Sequence, residues 1–195
     1  TLADVIEEVK QLYDQKNKNF TNICCILPTA PLITVDLLKE LFDYDKETGN
    51  LIWKRKSSAR VKVGDIAGSA TDNGYIKITI NQKKYRAHRL VFLMHKGYLP
   101  KTLDHINGDR KDNRIENLRP ATVSQNAMNR DISSKNTSGH KGVWWDKRKN
   151  KWRAVIRTSG ERLHLGYFAN VEEAGQVMRK AREELHGDYA NHGDQ

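Results

Sequence analysis

Residues 102–130, TLDHINGDRKDNRIENLRPATVSQNAMNR, contain few side chains that build a core and many that bind ions, turn the chain or move protons. Leu103, Asp104, His105 and Ile106 read as a short strand. Neighbouring side chains on a strand point to opposite faces, so Asp104 and His105 aim in different directions. Gly108 relieves the turn that follows. Pro120 then breaks the chain, and Thr122 caps a helix running to about residue 130. A strand, a loop and a helix in that order bring Asn126 back over Asp104.

This inventory fits one kind of chemistry. A phosphodiester resists attack because it is anionic and its leaving group is a poor alkoxide. Hydrolysis needs a base that makes hydroxide and a cation that neutralises charge on the departing oxygen. Histidine titrates near neutral pH and can take the proton from water. Mg²⁺ prefers oxygen and keeps several waters, so one carboxylate and one amide oxygen can hold it beside a substrate phosphate. Taken alone, the residues also fit a polar surface loop whose Asn and Asp side chains merely make turns.

The letters from residue 85 to 130 decide between the two. They include Ala87-His88-Arg89-Leu90, Asp104-His105-Ile106-Asn107-Gly108-Asp109, Asp112-Asn113-Arg114-Ile115-Glu116-Asn117-Leu118 and Gln125-Asn126. This segment resembles the HNH nuclease family, in the branch found among phage homing endonucleases. The resemblance implies a ββα-metal (His-Me finger) core with His105 as general base and Asp104 as a metal ligand. It places Asn117 as the middle letter, bracing the motif and orienting the base, and Asn126 as the second metal ligand. It implies one divalent cation, Mg²⁺ or Mn²⁺ rather than zinc, since an amide is a poor zinc ligand. Arg89 and Arg114 are read as phosphate contacts; Arg114 fits a salt bridge to Glu116 or Asp112 equally well. His88 falls in the His-Arg-Leu signature and is read as structural rather than catalytic.

The rest of the chain is consistent with a polyanionic partner. Its 195 residues carry a formal net charge of +10, which puts nucleic acid ahead of a membrane surface. No apolar run reaches the roughly 18 residues of a spanning helix, and no secretory signal is read. The two cysteines, Cys24 and Cys25, are adjacent. They fit a reducing compartment, the cytoplasm of a bacterial host if the chain is phage-encoded, and buried free thiols. The four thiolates of zinc-stabilised HNH nucleases are lacking, so no structural zinc is expected and packing alone holds the fold.

Leu2, Val5, Ile6, Val9 and Leu12 form an apolar stripe that predicts a helix over 1–16. Residues 1–34 are read as an N-terminal helical extension that packs on the nuclease or docks an unidentified protein. The nuclease domain follows over 35–130. Thr34 caps a helix over 35–42. Strands are expected at 51–53, 61–67 and 75–80, with a return strand at 83–87. Tyr44-Asp45, Thr48-Gly49 and Gly74-Tyr75-Ile76 resemble the segment that precedes the motif in many phage nucleases. Lys54, Arg55, Lys56, Arg60 and Lys62 suit either a phosphate backbone or an edge strand's charges. A helix over 88–96 stops at Gly97.

Residues 131–139 have linker composition. Beyond them, over 140–195, the pattern becomes three strands, at 143–145, 152–157 and 162–165, then a helix over 171–185 capped by Asn170 with Glu173 three residues on. Trp152, Ala154, Ile156, Leu163 and Leu165 face the helix, while Arg153, Val155, Arg157, Arg162 and His164 face away. Between Lys135 and His164 there are nine Lys or Arg against two acids, enough to make the outer face a cationic ribbon suited to a DNA major groove. Gly142-Val143, Trp152, Ala154, Ile156-Arg157, Leu165-Gly166-Tyr167-Phe168, Glu172-Glu173-Ala174 and His186-Gly187-Asp188-Tyr189-Ala190 resemble the Apetala/ethylene-response-factor DNA-binding domain. The resemblance places Arg157, Arg162 and His164 at DNA contacts, with Arg153 on the same face. Trp144, Asp146 and Val155 depart from the plant contact positions, so the plant target does not carry over.

The expected class is α+β: an HNH core with an N-terminal helix and small antiparallel sheet, then a three-stranded antiparallel sheet with one helix. The expected function is metal-dependent endonuclease cleavage of double-stranded DNA, with a non-catalytic DNA-binding regulator on the same scaffold as the alternative. One chain offers one site, so a full break requires a homodimer or two encounters.

Overall fold

The computed structural model describes residues 33–158 and 160–193. The helix expected over 1–16, the apolar run at 23–27, Cys24 and Cys25 lie outside them.

Helix α1 (Val35–Leu41) begins at Thr34, whose hydroxyl accepts from the Leu37 amide. It stops one residue earlier than expected. Phe42 is extended and opens β1 (Phe42–Tyr44), which pairs antiparallel with β2 (Leu51–Trp53). The turn between them is tied by Asp45, which accepts from the Thr48 hydroxyl and the Glu47 amide. The strand expected over 61–67 is mostly a loop. Only Ile66 bridges to Ile52, Val63 and Ile66 are exposed, and Gly64 and Gly68 have positive φ, which interrupts a pleat. A second sheet orders β3 (Ser69–Ala70), β4 (Ile76–Ile80) and β5 (Lys83–Arg86).

Helix α2 (Ala87–Lys96) packs against α1, β4 and β5 and buries Leu90, Val91, Phe92 and Leu93 in the core. Each such side chain contributes roughly 1.5–3 kcal/mol of hydrophobic burial. Gly97 ends the helix in the left-handed region at φ 73°, its amide bonded to the Leu93 carbonyl. The next strand, β6 (Leu103–His105), pairs antiparallel with β7 (Leu118–Pro120), so Asp104 lies opposite Arg119 and His105 opposite Leu118. A 3₁₀ turn (Ile115–Asn117) leads into β7. Thr122 and Gln125 then form a reciprocal capping box on α3 (Val123–Met128).

A second core belongs to the C-terminal part. Strands β8 (Val143–Asp146), β9 (Lys151–Thr158) and β10 (Glu161–Phe168) form a sheet with β9 central. Helix α4 (Val171–His186) covers one face, burying Val143, Ala154, Ile156, Ala174 and Met178. Asn170 caps it through the Glu172 amide. Leu165 packs on this core, but Leu163 is exposed, contrary to expectation; a bulge between His164 and Gly166 shifts the register of β10 between the two. Among the described residues no helix is long and apolar enough to cross a membrane.

Candidate active site

Strand β6, the loop 106–114 and helix α3 surround a cleft of about 430 Å³. Its lining includes Asp104, His105, Asn126, Asn129, Arg110 and Tyr75. Asp104 and Asn126, the two expected metal ligands, therefore share one cavity with His105. The Asn126 amide nitrogen donates to the Leu103 carbonyl at 3.2 Å, which leaves its Oδ1 as the atom that could face a cation. Asp104 is buried and held at both oxygens. Arg119 binds Oδ2 through Nε at 2.9 Å and Nη2 at 2.8 Å, and Asn129 Nδ2 lies 3.1 and 3.0 Å from Oδ1 and Oδ2. A carboxylate has about four acceptor positions, so Oδ1 keeps capacity for a cation. One carboxylate and one amide oxygen fit a hard divalent ion. Among the described residues no group of three or more His, Cys, Asp or Glu could hold a metal.

His105 is buried at 5 % exposure, and its Nε2 lies 3.3 Å from Asn113 Oδ1. An amide oxygen only accepts, so this contact favours the tautomer with its proton on Nε2, which keeps the Nδ1 lone pair. Burial pushes the His105 pKa below its ordinary value, against the opposing Asn113 bond and the nearby Asp104, Asp109 and Asp112. The imidazole is thus neutral near pH 7, the proton-accepting form. Its ring meets His88 edge-on at 4.9 Å, and Tyr75 stands 6.0 Å away. His88 is itself buried, and burial lowers its pKa to about 3.

The loop that carries these groups is folded by its own side chains. Gly108, at φ 77°, returns its amide to the His105 carbonyl. Asn117 accepts from the Asn107 amide at 2.9 Å and donates to Asn107 Oδ1 and the Asp112 carbonyl. It thus braces the loop and does not touch the His105 ring through a hydrogen bond. Arg114 forms a two-pronged pair with Asp112, at 2.9 and 2.7 Å, which holds the Asp112 carboxyl near pKa 2. The Glu116 alternative is not the one adopted, and Arg114 is not among the residues lining the cleft. Arg89 donates to the Lys101 carbonyl at 3.4 Å and is also outside that lining. Tyr44 receives the Ile115 amide at 2.9 Å, and Gly49 lies against the backbone of Asn113 and Arg114, closer than any side chain allows. The first hairpin is therefore the platform for the loop.

Several site residues were not assigned from sequence. Asn113 was within the motif, but its contact with His105 depends on how the loop closes. Asn129 is the C-cap of α3, one turn after Asn126, the periodicity that could have marked it. Tyr75 and Arg110 meet because Arg110 donates to the Asn73 carbonyl at 2.9 Å and lies over the Tyr75 ring, with Arg86 over the same ring at 4.2 Å.

On the C-terminal sheet, Trp144, Arg153, Val155, Arg157, Arg162 and His164 line one shallow concavity. The four expected DNA-contacting side chains of that module thus share one face. Arg153 lies 5.5 Å from the Trp144 ring and 5.9 Å from Tyr167.

Residues 85–128, from β5 through α3, match the HNH endonuclease family. The chain is 33 % identical over 110 residues to Protein 3.8 of Escherichia phage T7, covering 55 % of this chain and 90 % of the phage protein. The chain belongs to the HNH endonuclease family. A second relative, an uncharacterized HNH endonuclease of Acanthamoeba polyphaga mimivirus, is 29 % identical over 121 residues, 60 % of this chain and 62 % of that one. No solved structure gives a significant match. HNH nucleases typically use a divalent metal and act on DNA.

Proposed function

We propose that this HNH protein is a metal-dependent DNA endonuclease that hydrolyses phosphodiester bonds, of the phage homing type. The convergence of Asp104, His105 and Asn126 on one cleft, with His105 neutral and its Nδ1 lone pair kept, carries the reading. Asp104 Oδ1 and Asn126 Oδ1 would hold Mg²⁺ or Mn²⁺, which supplies charge neutralisation at the phosphate and the departing 3′ oxygen. His105 takes the proton from the attacking water. Asn113 fixes the ring's tautomer, and Asn117 fixes the loop that presents it. The β6–β7–α3 unit is read as the ββα-metal motif.

The cationic face of Arg153, Arg157, Arg162 and His164 is assigned to duplex DNA, in the manner of an Apetala-like domain. Arg89 and Arg114 are assigned to the DNA backbone near the cleft. A single copy nicks one strand; a double-strand break takes a second copy or a second encounter.

The test is conversion of supercoiled plasmid to nicked or linear DNA. Cleavage is expected with Mg²⁺ or Mn²⁺ and is expected to stop on chelation. Tight duplex binding with no cleavage under any divalent ion would replace this reading with that of a DNA-binding regulator.

A further inference from the structure

Among the described residues, both side chains that hydrogen-bond the Asp104 carboxylate, Arg119 and Asn129, are in turn held by residues 188–191. Arg119 donates through Nη1 to the Asp188 carbonyl at 2.6 Å, and its guanidinium lies 3.9 Å from the Tyr189 ring centre. The Tyr189 hydroxyl donates to the Pro120 carbonyl at 2.9 Å. Asn191, 4 % exposed, donates from Nδ2 to the Asn129 carbonyl at 3.0 Å. Asn129 also binds the His105 carbonyl at 2.7 Å, so it sets both the carboxylate and the strand that carries the imidazole.

The tail is anchored as well. Lys141 donates to the carbonyls of Met128, Arg130 and Asn191. Arg182, buried within α4, donates to the Lys141 carbonyl at 2.8 Å and approaches His192 Nδ1 at 2.9 Å.

We propose that residues 188–191 are a positioning element of the nuclease site, fixing Asp104 for a divalent cation through Arg119 and Asn129. The inference rests on the metal-nuclease reading above. It makes the C-terminal module part of the site that performs the chemistry, beyond any role in gripping DNA. Outer partners of metal ligands typically contribute about 10–100-fold to metal affinity, and the tail acts one bond further out, so the lower end applies.

The test uses the full chain, with Tyr189→Ala, Asn191→Ala and Tyr189→Phe. Mn²⁺ affinity is measured by the electron paramagnetic resonance signal of the free ion, alongside melting temperature and duplex affinity without metal. The two alanine variants are expected to bind Mn²⁺ about tenfold more weakly, with duplex affinity unchanged. Tyr189→Phe keeps the ring over Arg119 and is expected to stay near wild type. Cleavage by the alanine variants should recover at high Mn²⁺. If either alanine variant melts below the assay temperature, Arg119→Lys, which keeps the charge and loses the second donor and the stacking, is expected to show the same loss. Unchanged Mn²⁺ affinity in folded variants overturns the positioning role. Tighter binding also overturns it, since Arg119 would then be competing with the ion. A wild-type protein that binds no Mn²⁺ would remove the metal-nuclease reading itself.

Discussion

Replacing His88 with Phe tests how the interior beneath the cleft is built. His88 is 4 % exposed, its Nδ1 has no hydrogen-bond partner among the described residues, and its ring packs against both Tyr75 and His105. Burial, followed by repulsion from His105, Arg86 and Arg89, lowers its pKa from 6.5 to about 3. Between those values the unfolded chain binds a proton that the folded chain does not. Stability from this group is therefore complete above pH 6.5 and is lost as pH falls toward 3. At about 1.4 kcal/mol per pH unit, moving from pH 7 to pH 5 costs about 2 kcal/mol. His88→Phe removes that cost and keeps a flat ring in the same space. Urea denaturation of both proteins at pH 7 and pH 5 measures it. The variant is expected to lose about 2 kcal/mol less than wild type over this interval. Parallel losses would refute the claim that His88 is held neutral as a structural ring.

Three further perturbations probe the platform, the base and the DNA face. Gly49→Ala places a methyl 2.4 Å from the Arg114 amide nitrogen at a φ of +74°, and is expected to destabilise the protein by about 2 kcal/mol or more, read from its melt. Asn113→Ala removes the oxygen that sets the His105 tautomer; single-turnover cleavage is expected to fall roughly 10–100-fold with duplex affinity unchanged. Arg157→Ala combined with Arg162→Ala is expected to weaken duplex binding and to flatten the plot of log affinity against log salt by about two units, one for each phosphate no longer neutralised.

Much of the cleft was legible because its elements are local. The strand at 103–105, the Gly108 turn, the Thr122 cap and the return of Asn126 toward Asp104 all depend on residues close in sequence. The alternation Arg153, Val155, Arg157 likewise placed the cationic face, since Ala154 and Ile156 are buried on the other. What could not be read depends on distant partners or on very short elements. Phe42 continues a helical pattern yet starts β1, because pairing with Trp53 overrides local preference. Strand β7 contains Pro120, a poor strand former, and exists through its register with β6. Leu163 keeps the apolar alternation, yet it is exposed, and the bulge that follows it in β10 leaves no mark in the sequence pattern. The contacts of Arg119 with Tyr189 and of Asn129 with Asn191 join residues some sixty to seventy positions apart, and no pattern within either segment announces them.

The claim that His105 is the base is tested most directly by following cleavage and binding on one labelled duplex. Single-turnover cleavage and dissociation constant are measured for wild type and His105→Ala in Mg²⁺. Loss of a general base is expected to slow cleavage by about 10²–10⁴-fold, with the dissociation constant within about twofold of wild type. Equal cleavage by the two proteins would contradict the assignment.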